Sequence, residues 1–311
     1  LATSENDIEQ SIAQVYIQIL YAAESVKVNE NTLQVSEAQR DRGKQLLDAG
    51  SIARSDYAQL EAQVSTDRYQ LVTAQATLQD YKLQLKQLLE LDGEQEMQVY
   101  LPALGDENVL SPLPTKTDVF RSAVALRPEI EASKLSVEAS ELGIGIAKSG
   151  YLPSVSLTAG IGTNHTSGSD FTFGEQVKNG WNNSIGLSIS VPIFNNRQTK
   201  SAVEKAKLQY QTSQLTLLDE QKTLYKTIEG LWLDANSAQQ RYAPAIEKLH
   251  STQTSYELVS EQFNAGMKNT VELLTEKNNL LQAQQELLQS KYMAILNTQL
   301  LKFYQGDKIT L

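Results

Sequence analysis

The sequence contains no cysteine, and its only two histidines, His165 and His250, lie far apart. The lack of cysteine excludes disulfides, thiolate zinc sites and cysteine nucleophiles, and it fits an oxidising compartment whose proteins avoid free thiols. Two isolated histidines are best interpreted as solvent-exposed side chains. The sequence also has no nucleophile elbow, glycine-rich phosphate cradle or metal-ligand spacing. We therefore expect no enzyme, no cofactor and no metal site.

Positive charge is scarce, and long apolar runs are missing. The chain of 311 residues has 27 lysines and arginines against 37 aspartates and glutamates, which gives a net charge of −10. A net negative charge of this size repels the phosphate backbone of nucleic acid, so we expect no nucleic-acid partner. No apolar run approaches the ~18 residues that a membrane helix needs. No signal peptide is visible and Leu1 does not resemble a natural start, which indicates a mature chain or a fragment.

What the sequence does contain is apolar residues at intervals of seven. They form two rows: Val64, Leu71, Leu78, Leu85, and Leu60, Asp67, Ala74, Tyr81, Leu88, in which Asp67 is the one clear break. The rows predict an apolar seam on a helix over residues 51–91. A helix over 4–47 precedes it. We expect Gly50 to end the first helix, Ser51 or Ser55 to cap the second, and Gly93 to close it.

The last third of the chain repeats this plan. Helices are predicted over 197–264 and 270–304, with Pro244 expected to kink or interrupt the first. The two helix pairs are related by a constant shift of 216 residues without gaps, which places the Ala49-Gly50 turn on Ala265-Gly266 and Asp56 on Glu272. This register indicates an internal duplication. Between the pairs, 93–117 is expected to be irregular and 118–149 helical.

Two stretches differ from the helical pattern. Residues 154–162 and 184–191 alternate apolar and small polar side chains, as half-buried strands do. Their predicted membrane-facing residues are Val155, Leu157, Ala159, Ile161, Ile185, Leu187, Ile189 and Val191. Each strand has about the length of a tilted bilayer crossing. Aromatic residues flank both ends (Tyr151, Phe194, Phe171, Phe173 and Trp181), and a polar loop, 164–180, joins the strands.

This hairpin has two possible interpretations. It could pack on a soluble core, which is the commoner meaning of such alternation. A lone hairpin is only marginally stable in water, however. In lipid, the backbone groups at the edges of a strand must be hydrogen-bonded to another strand. Partner strands from other chains, or from residues outside this sequence, would satisfy both demands.

The stretches RPEI (Arg127–Ile130), YLPSVSLTAG (Tyr151–Gly160) and VPIFNNR (Val191–Arg197), together with the duplicated helix pairs, resemble the TolC-like outer-membrane efflux and secretion channels. The resemblance implies a mainly α chain with a transmembrane β-hairpin. Its long coiled-coil helices would form a trimeric α-barrel, and its hairpin would contribute to a trimeric outer-membrane β-barrel. Family protomers carry two hairpins, so we expect the first helix and first hairpin to lie ahead of Leu1. With two strands per chain, a trimer would fall below the ~8 strands of the smallest membrane barrels.

The resemblance also implies a division of the chain and a location. The expected segments are a first periplasmic helix pair (1–92), a crossing segment (93–117), a helix leading to the membrane (118–150), the transmembrane hairpin (151–194), a second periplasmic helix pair (195–305) and a C-terminal tail (306–311). Most of the chain would lie in the periplasm of a Gram-negative bacterium. The implied function is a passive exit duct of a tripartite efflux pump or type I secretion system. Its partners would be two further copies, outer-membrane lipid, a periplasmic adaptor and an inner-membrane RND or ABC-type transporter. The alternative is a soluble periplasmic coiled-coil scaffold without channel activity.

The two helix turns are the candidate sites. Carried over by position, the periplasmic gate would consist of Ser55, Asp56, Phe263, Lys268, Glu272 and Thr275, with Ser55 and Asp56 facing Phe263 and Lys268. Thr275 stands where well-known relatives have a second acid. Adaptor docking would use Leu47, Ala49, Gly50, Ser51, Ala53, Phe263, Ala265, Gly266, Met267 and Asn269. The alternatives stay open: Asp56 and Glu272 also suit the N-terminal dipole of their helices, and glycine is the usual helix stop.

Overall fold

The computed structural model describes residues 2–92, 97–102 and 104–309. In chain order its elements are α1 (Ala2–Asp48), α2 (Arg54–Leu88), α3 (Asp106–Val109), α4 (Lys116–Leu126), α5 (Pro128–Ser149), β1 (Ser154–Gly162), α6 (Phe173–Gly180), β2 (Asn182–Ser190), α7 (Gln198–Asn264) and α8 (Thr270–Gln305). The four predicted long helices are confirmed as α1, α2, α7 and α8. Gly93, the predicted cap, lies outside the described residues.

The chain divides into two compact units, Leu1–Glu129 with Gln221–Leu311, and Ile130–Glu220. In the first unit, α1, α2 and α8 pack along their apolar seams. Leu60, Val64 and Leu85 of the predicted heptad rows are buried, and the other apolar members are partly buried. One apolar cluster gathers Ile17, Leu20, Leu104, Val109, Ala238, Tyr242, Leu288, Tyr292, Ala294 and Ile295. The seam that heptad spacing predicts is therefore the core of this unit.

The segment before α4 is held to α7 by side-chain hydrogen bonds. The Tyr242 hydroxyl donates to Asp106 Oδ1 over 2.6 Å, Gln239 Nε2 donates to the carbonyl oxygens of Val109 and Ser111 over 2.8 Å each, and Trp232 Nε1 donates to the Pro114 carbonyl over 3.0 Å. Within this segment, expected to be irregular, the structure adds the short helix α3. Its Val109 is fully buried.

The helical prediction for 118–149 is confirmed except at one residue, so the segment is not one continuous helix. The structure has α4 and α5 instead, separated at Arg127, whose φ of −75° and ψ of 125° are extended. The cause is Pro128, because a proline ring disfavours the helical conformation of the residue before it. Arg127 is buried there, with its guanidinium 4.3 Å from the ring centre of Phe303 and 4.0 Å from that of Tyr304.

Two further local expectations are wrong, the cap of α2 and an interruption of α7 at Pro244, whereas a kink at Pro244 stays a prediction. The helix cap before α2 is neither Ser51 nor Ser55 but Ala53, and its backbone N–H donates to Asp56 Oδ2 over 3.3 Å. Pro244 does not interrupt α7, which continues to Asn264. Proline removes one backbone donor from a helix. Tyr242 and Ala245 next to it are buried, and their packing offsets that loss.

The second unit contains the only sheet of the described residues, an antiparallel pair of β1 and β2. Strand β2 ends at Ser190, so Val191 lies one residue beyond it. The connection between the strands is not purely a loop, because it includes α6. The Thr172 hydroxyl accepts the Glu175 N–H and the Glu175 carboxylate accepts the Thr172 N–H, a capping box that starts this helix. None of the helices in the described part of the chain is both long and apolar enough to cross a membrane.

Candidate functional site

The two helix turns are copies of one geometry. Gly50 and Gly266 both have left-handed backbones, with φ of +72° and +75°. Their N–H groups donate to Leu47 and Phe263 over 2.9 Å, and the next N–H groups, of Ser51 and Met267, donate to Leu46 and Gln262 over 2.8 Å. This is a Schellman ending, which favours glycine at the left-handed position. Each of these four backbone hydrogen bonds has its equivalent 216 residues away, so the internal duplication is also present in the hydrogen bonds that end the two helices.

The two turn acids occupy equivalent places as well. Asp56 Oδ2 accepts the Ala53 N–H over 3.3 Å, and Glu272 Oε2 accepts the Asn269 N–H over 3.2 Å. The Asn269 side chain in turn accepts the Glu272 N–H over 2.9 Å. Both carboxylates therefore satisfy backbone donors at a helix N-terminus, where the helix dipole also favours negative charge. These contacts support the interpretation of both acids as helix-terminal residues.

The expected pairing between the turns is not formed within the chain. Lys268 forms an ion pair with Glu272 of its own turn, and among the described residues no ion pair joins Lys268 to Asp56. Phe263 is only 2% exposed and packs against Leu46, Leu60 and Leu273. Phe263 thus fixes the position of the turns from inside, and it is not available as a gate or docking surface in this structure. Ser55 and Thr275 are both exposed.

The remaining predicted docking residues form the exposed surface of the turns. Those with exposed side chains or backbone are Ala49, Gly50, Ser51, Ala53, Ala265, Gly266, Met267 and Asn269, while Leu47 is half-buried. Met267 is 70% exposed and is the large apolar residue of this set. The turns therefore present small side chains, backbone and one flexible thioether, a surface that a partner can approach closely.

Acid should loosen the second turn. The Lys268 ammonium and then the Asn269 N–H lower the pKa of Glu272 below its ordinary value of 4.5. A lowered carboxyl pKa contributes stability above the ordinary value, and that stability is lost as the pH falls through the folded value. We expect amide hydrogen exchange at 269–272 to accelerate, relative to the rest of α8, as the pH falls below about 4.5. Glu272→Gln should remove this pH dependence and Glu247→Gln, on an exposed part of α7, should retain it. An unchanged acid response in Glu272→Gln would contradict the assignment.

The hairpin has one apolar and one polar face. Across the strands Val155 pairs with Ile189, Leu157 with Leu187 and Ala159 with Ile185, whereas Ser154 pairs with Ser190, Ser156 with Ser188 and Gly160 with Ser184. The large apolar side chains of this face are between 64% and 84% exposed. Tyr151, Phe171, Phe173, Trp181 and Phe194 are exposed too. Within the described residues, the sheet consists of these two strands, so the apolar face and both strand edges have no cover from their own sheet.

The helical part of the second unit also exposes apolar residues. Leu135 and Leu142 of α5, and Leu208 and Leu215 of α7, repeat at intervals of seven and are all more than half exposed. The unit is held together elsewhere, by a hydrogen bond from the Ser133 hydroxyl to Glu220 and one from Thr199 Oγ1 to the Gly150 carbonyl over 3.3 Å. These two apolar rows are typical of helix faces that pack against another surface.

Sequence reasoning missed one buried polar cluster in the first unit. Lys277 of α8 forms an ion pair with Asp67 of α2, and Ser36 of α1 is bonded to both. The signal was present in the sequence, since Asp67 interrupts an otherwise apolar heptad row, but nothing in the sequence pointed to Lys277 as its partner. No group of three or more histidines, aspartates and glutamates in the described segments is arranged to hold a metal ion.

The sequence is similar to those of outer membrane proteins. Residues 119–306 match the family described as outer membrane efflux protein. The chain is 24% identical over 294 residues to the outer membrane efflux protein BepC of Brucella suis, covering 94% of this chain and 61% of BepC. It is 25% identical over 308 residues to the outer membrane protein TolC of Escherichia coli, covering 95% of this chain and 60% of TolC. The chain thus spans about three fifths of the length of these relatives.

The fold is similar to that of solved structures. A crystal structure of CusC, described in connection with folding and transmembrane channel formation, superposes with a TM-score of 0.81 at 19% identity. The alignment covers 98% of this chain and 69% of the CusC chain. Nearly all of the chain therefore has the same fold as the CusC chain.

Proposed function

Because the chain belongs to the outer membrane efflux protein family, we propose that it is the outer-membrane channel component of a tripartite efflux pump or type I secretion system. In this role it is a passive exit duct and not an enzyme. We place the protein in the outer membrane of a Gram-negative bacterium. Its relatives BepC and TolC are both named as outer membrane proteins. The hairpin crosses the membrane, and the helix pairs 1–92 and 195–305 lie in the periplasm.

The single observation that carries this proposal is the exposed apolar face of the hairpin. Each strand has nine residues, which at about 3.3 Å per residue and a tilt of about 40° span roughly 23 Å, close to the ~25 Å apolar band of outer-membrane barrels. The register keeps apolar residues opposite apolar ones along that face. Lipid is the environment that suits such a surface, and the polar face then lines an aqueous interior.

The unpaired strand edges support an assembly of several copies. A strand in lipid must satisfy its backbone groups by pairing, so the sheet closes only with strands from outside this hairpin. The exposed leucine rows of α5 and α7 need cover as well. In a homotrimer the helices build an α-barrel that covers the leucine rows, and the hairpins contribute to a β-barrel. Three such hairpins supply fewer than the ~8 strands of the smallest membrane barrels, so the β-barrel needs further strands from outside this hairpin.

The turns are the proposed contact with the rest of the machinery. A periplasmic adaptor docks on the exposed small residues of both turns and on Met267. The adaptor connects the duct to an inner-membrane RND or ABC-type transporter, which supplies the energy. Around a three-fold axis, Asp56 and Glu272 provide six carboxylates at the periplasmic end. The Glu272 carboxylates are paired with Lys268, so the net negative charge of the ring comes from Asp56, and it favours cations.

Purified protein in a planar bilayer tests the duct and its acidic end. The wild type should conduct with cation selectivity. Asp56→Asn with Glu272→Gln should abolish that selectivity and raise the single-channel conductance, since it removes the carboxylate charges, keeps hydrogen-bonding oxygens and leaves Lys268 without its partner. Glu247→Gln with Glu257→Gln, two exposed α7 acids, serves as the charge-matched control.

Two results would decide against parts of the proposal. Unchanged selectivity in the Asp56 and Glu272 variant would remove the carboxylate constriction but leave the duct. Recovery of the wild-type protein in the soluble fraction without detergent, with no conductance, would favour the coiled-coil scaffold.

A further inference from the structure

A buried ion pair joins the two helix pairs of the first unit. Lys277 Nζ donates to Asp67 Oδ2 and to the Ser36 hydroxyl, which itself donates to Asp67 Oδ2. Gln63 Nε2 donates to the other carboxylate oxygen over 2.9 Å. Ser36, Asp67 and Lys277 are each at least 97% buried. Burial lowers the pKa of Lys277, and the hydrogen bond that Lys277 donates to Asp67 opposes that shift. We call these four residues the buried polar cluster.

The fold itself does not require charge at this place. The other residues of the same heptad row, Leu60, Ala74, Tyr81 and Leu88, are apolar. In the second repeat the position equivalent to Asp67 is Ala283, which is fully buried, and the position equivalent to Lys277 is the exposed Glu61. Replacing a buried ion pair by apolar residues of similar volume is often neutral or stabilising. Stability therefore does not explain why Asp67 and Lys277 are charged.

What apolar seams leave undetermined is register. Within each pair, a turn of five residues fixes how the two helices align: 49–53 joins α1 to α2, and 265–269 joins α7 to α8. Helices α2 and α8 have no such short connection. A slip of one heptad, about 10 Å along a helix, would keep apolar residues facing apolar residues. The apolar contacts alone thus distinguish poorly between neighbouring registers.

The charged residues do distinguish them. Seven residues to either side of Asp67 lie Leu60 and Ala74, and seven to either side of Lys277 lie Thr270 and Gln284. After a one-heptad slip Lys277 would meet Leu60 or Ala74, and Asp67 would meet Thr270 or Gln284. Both charges would then be buried without a counterion, which is strongly unfavourable. Only the observed alignment pairs them.

We propose that the buried polar cluster specifies the register in which α8 packs on the α1–α2 pair, and so makes Asp67 and Lys277 specificity-determining residues of the helical assembly. The duplication is what creates the need, because two helix pairs with the same seam can align in more than one way. A polar residue at one seam position is an established way to fix the alignment of coiled coils.

Cysteine crosslinking can read the register directly, since the chain has no native cysteine. Val35 of α1 and Gln284 of α8 line one small cavity, so Val35→Cys with Gln284→Cys reports the observed register. Arg42→Cys with Gln284→Cys reports a slip of one heptad. Each pair is introduced into the full chain, purified in detergent and treated with a short bifunctional thiol reagent. The wild-type background should crosslink only the first pair.

The decisive background is Asp67→Leu with Lys277→Met. We expect it to unfold cooperatively, with a thermal midpoint equal to or above that of the wild type, and to crosslink both cysteine pairs. Crosslinking of the first pair alone would overturn the proposal, because register would then be set elsewhere. Loss of the folded state would overturn it too, since the cluster would then be required for stability.

The single variant Lys277→Met provides an independent measurement. It leaves Asp67 buried without its counterion, so its thermal midpoint should lie roughly 5–10 °C below that of the double variant. A midpoint equal to that of the double variant would mean that Asp67 and Lys277 are not a desolvated pair in solution, and the proposal would fail.

Discussion

Leu157→Arg combined with Leu187→Arg is expected to abolish recovery of the protein in the outer-membrane fraction. The two leucines pair across the strands near their middle, and both are largely exposed on the apolar face. An arginine on the lipid side of a membrane strand costs about 2–4 kcal/mol near the bilayer midplane. Two of them would cost about 4–8 kcal/mol, and their direct opposition adds like-charge repulsion. We expect a hairpin with that cost in insertion free energy not to insert into the membrane.

The opposite face of the same hairpin supplies the matched control. Ser156 and Ser188 also pair directly across the strands, one residue from each leucine. Ser156→Arg with Ser188→Arg adds the same charge at the same depth, but on the face proposed to line the aqueous interior, where arginine is tolerated. Density-gradient fractionation followed by immunoblotting separates the two outcomes. Equal loss in both variants, or normal insertion of the leucine variant, would contradict the assignment of the lipid face.

Periodic features of this protein were predictable because they repeat one physical requirement many times. The heptad rows of α2 bury the same face at every second turn, so a single exception such as Asp67 does not obscure them. The alternation in β1 and β2 works in the same way, and the observed register keeps Leu157 opposite Leu187 as the two patterns demand. The turns were predictable from glycine, because this kind of helix ending needs a residue with a left-handed backbone, and glycine adopts it without strain. Gly50 and Gly266 occupy that position.

Features that depend on a single contact were not predictable. The break between α4 and α5 is a partial exception, because Pro128 marks it in the sequence. The packing of Arg127 against Phe303 and Tyr304, which are distant in sequence, could not be predicted. Nothing in the sequence shows whether Phe263 is a gate residue or a core residue, and its burial comes from residues of three other helices, α1, α2 and α8. Helix α6 depends on a capping box of two side chains, Thr172 and Glu175, inside a segment with a loop-like composition.

The same distinction applies to Pro244. As a local rule, proline ends a helix, because it removes a donor and crowds the preceding turn. In α7 the local cost is one hydrogen bond, and buried neighbours such as Tyr242, with its bond to Asp106, hold the helix in place on both sides. Tertiary contacts that the sequence does not display therefore outweighed the local preference.

Assembly should fail when the leucine rows of the second unit are charged. Leu142 of α5 and Leu215 of α7 are 70% and 67% exposed in the single chain. Each lies seven residues after another exposed leucine of the same helix, in a row typical of a packed helix face. If further copies cover these rows, Leu142→Asp with Leu215→Asp places two charges per chain in an apolar interface, at an effective penalty of several kcal/mol for each unpaired ion. In detergent the variant should run as a single chain of 34.5 kDa, and the wild type at three times that mass. Light scattering coupled to size-exclusion chromatography measures both.

The control places the same charge on polar positions of the same helices. Ser136 and Gln214 are exposed and lie outside the leucine rows, so Ser136→Asp with Gln214→Asp should keep the three-chain mass. Loss of assembly in the leucine variant alone would show that these rows, and not charge in general, hold the copies together. A three-chain mass in both variants would mean that the rows face water or lipid in the assembly, and the contacts between copies would then have to lie in the first unit or in the hairpin.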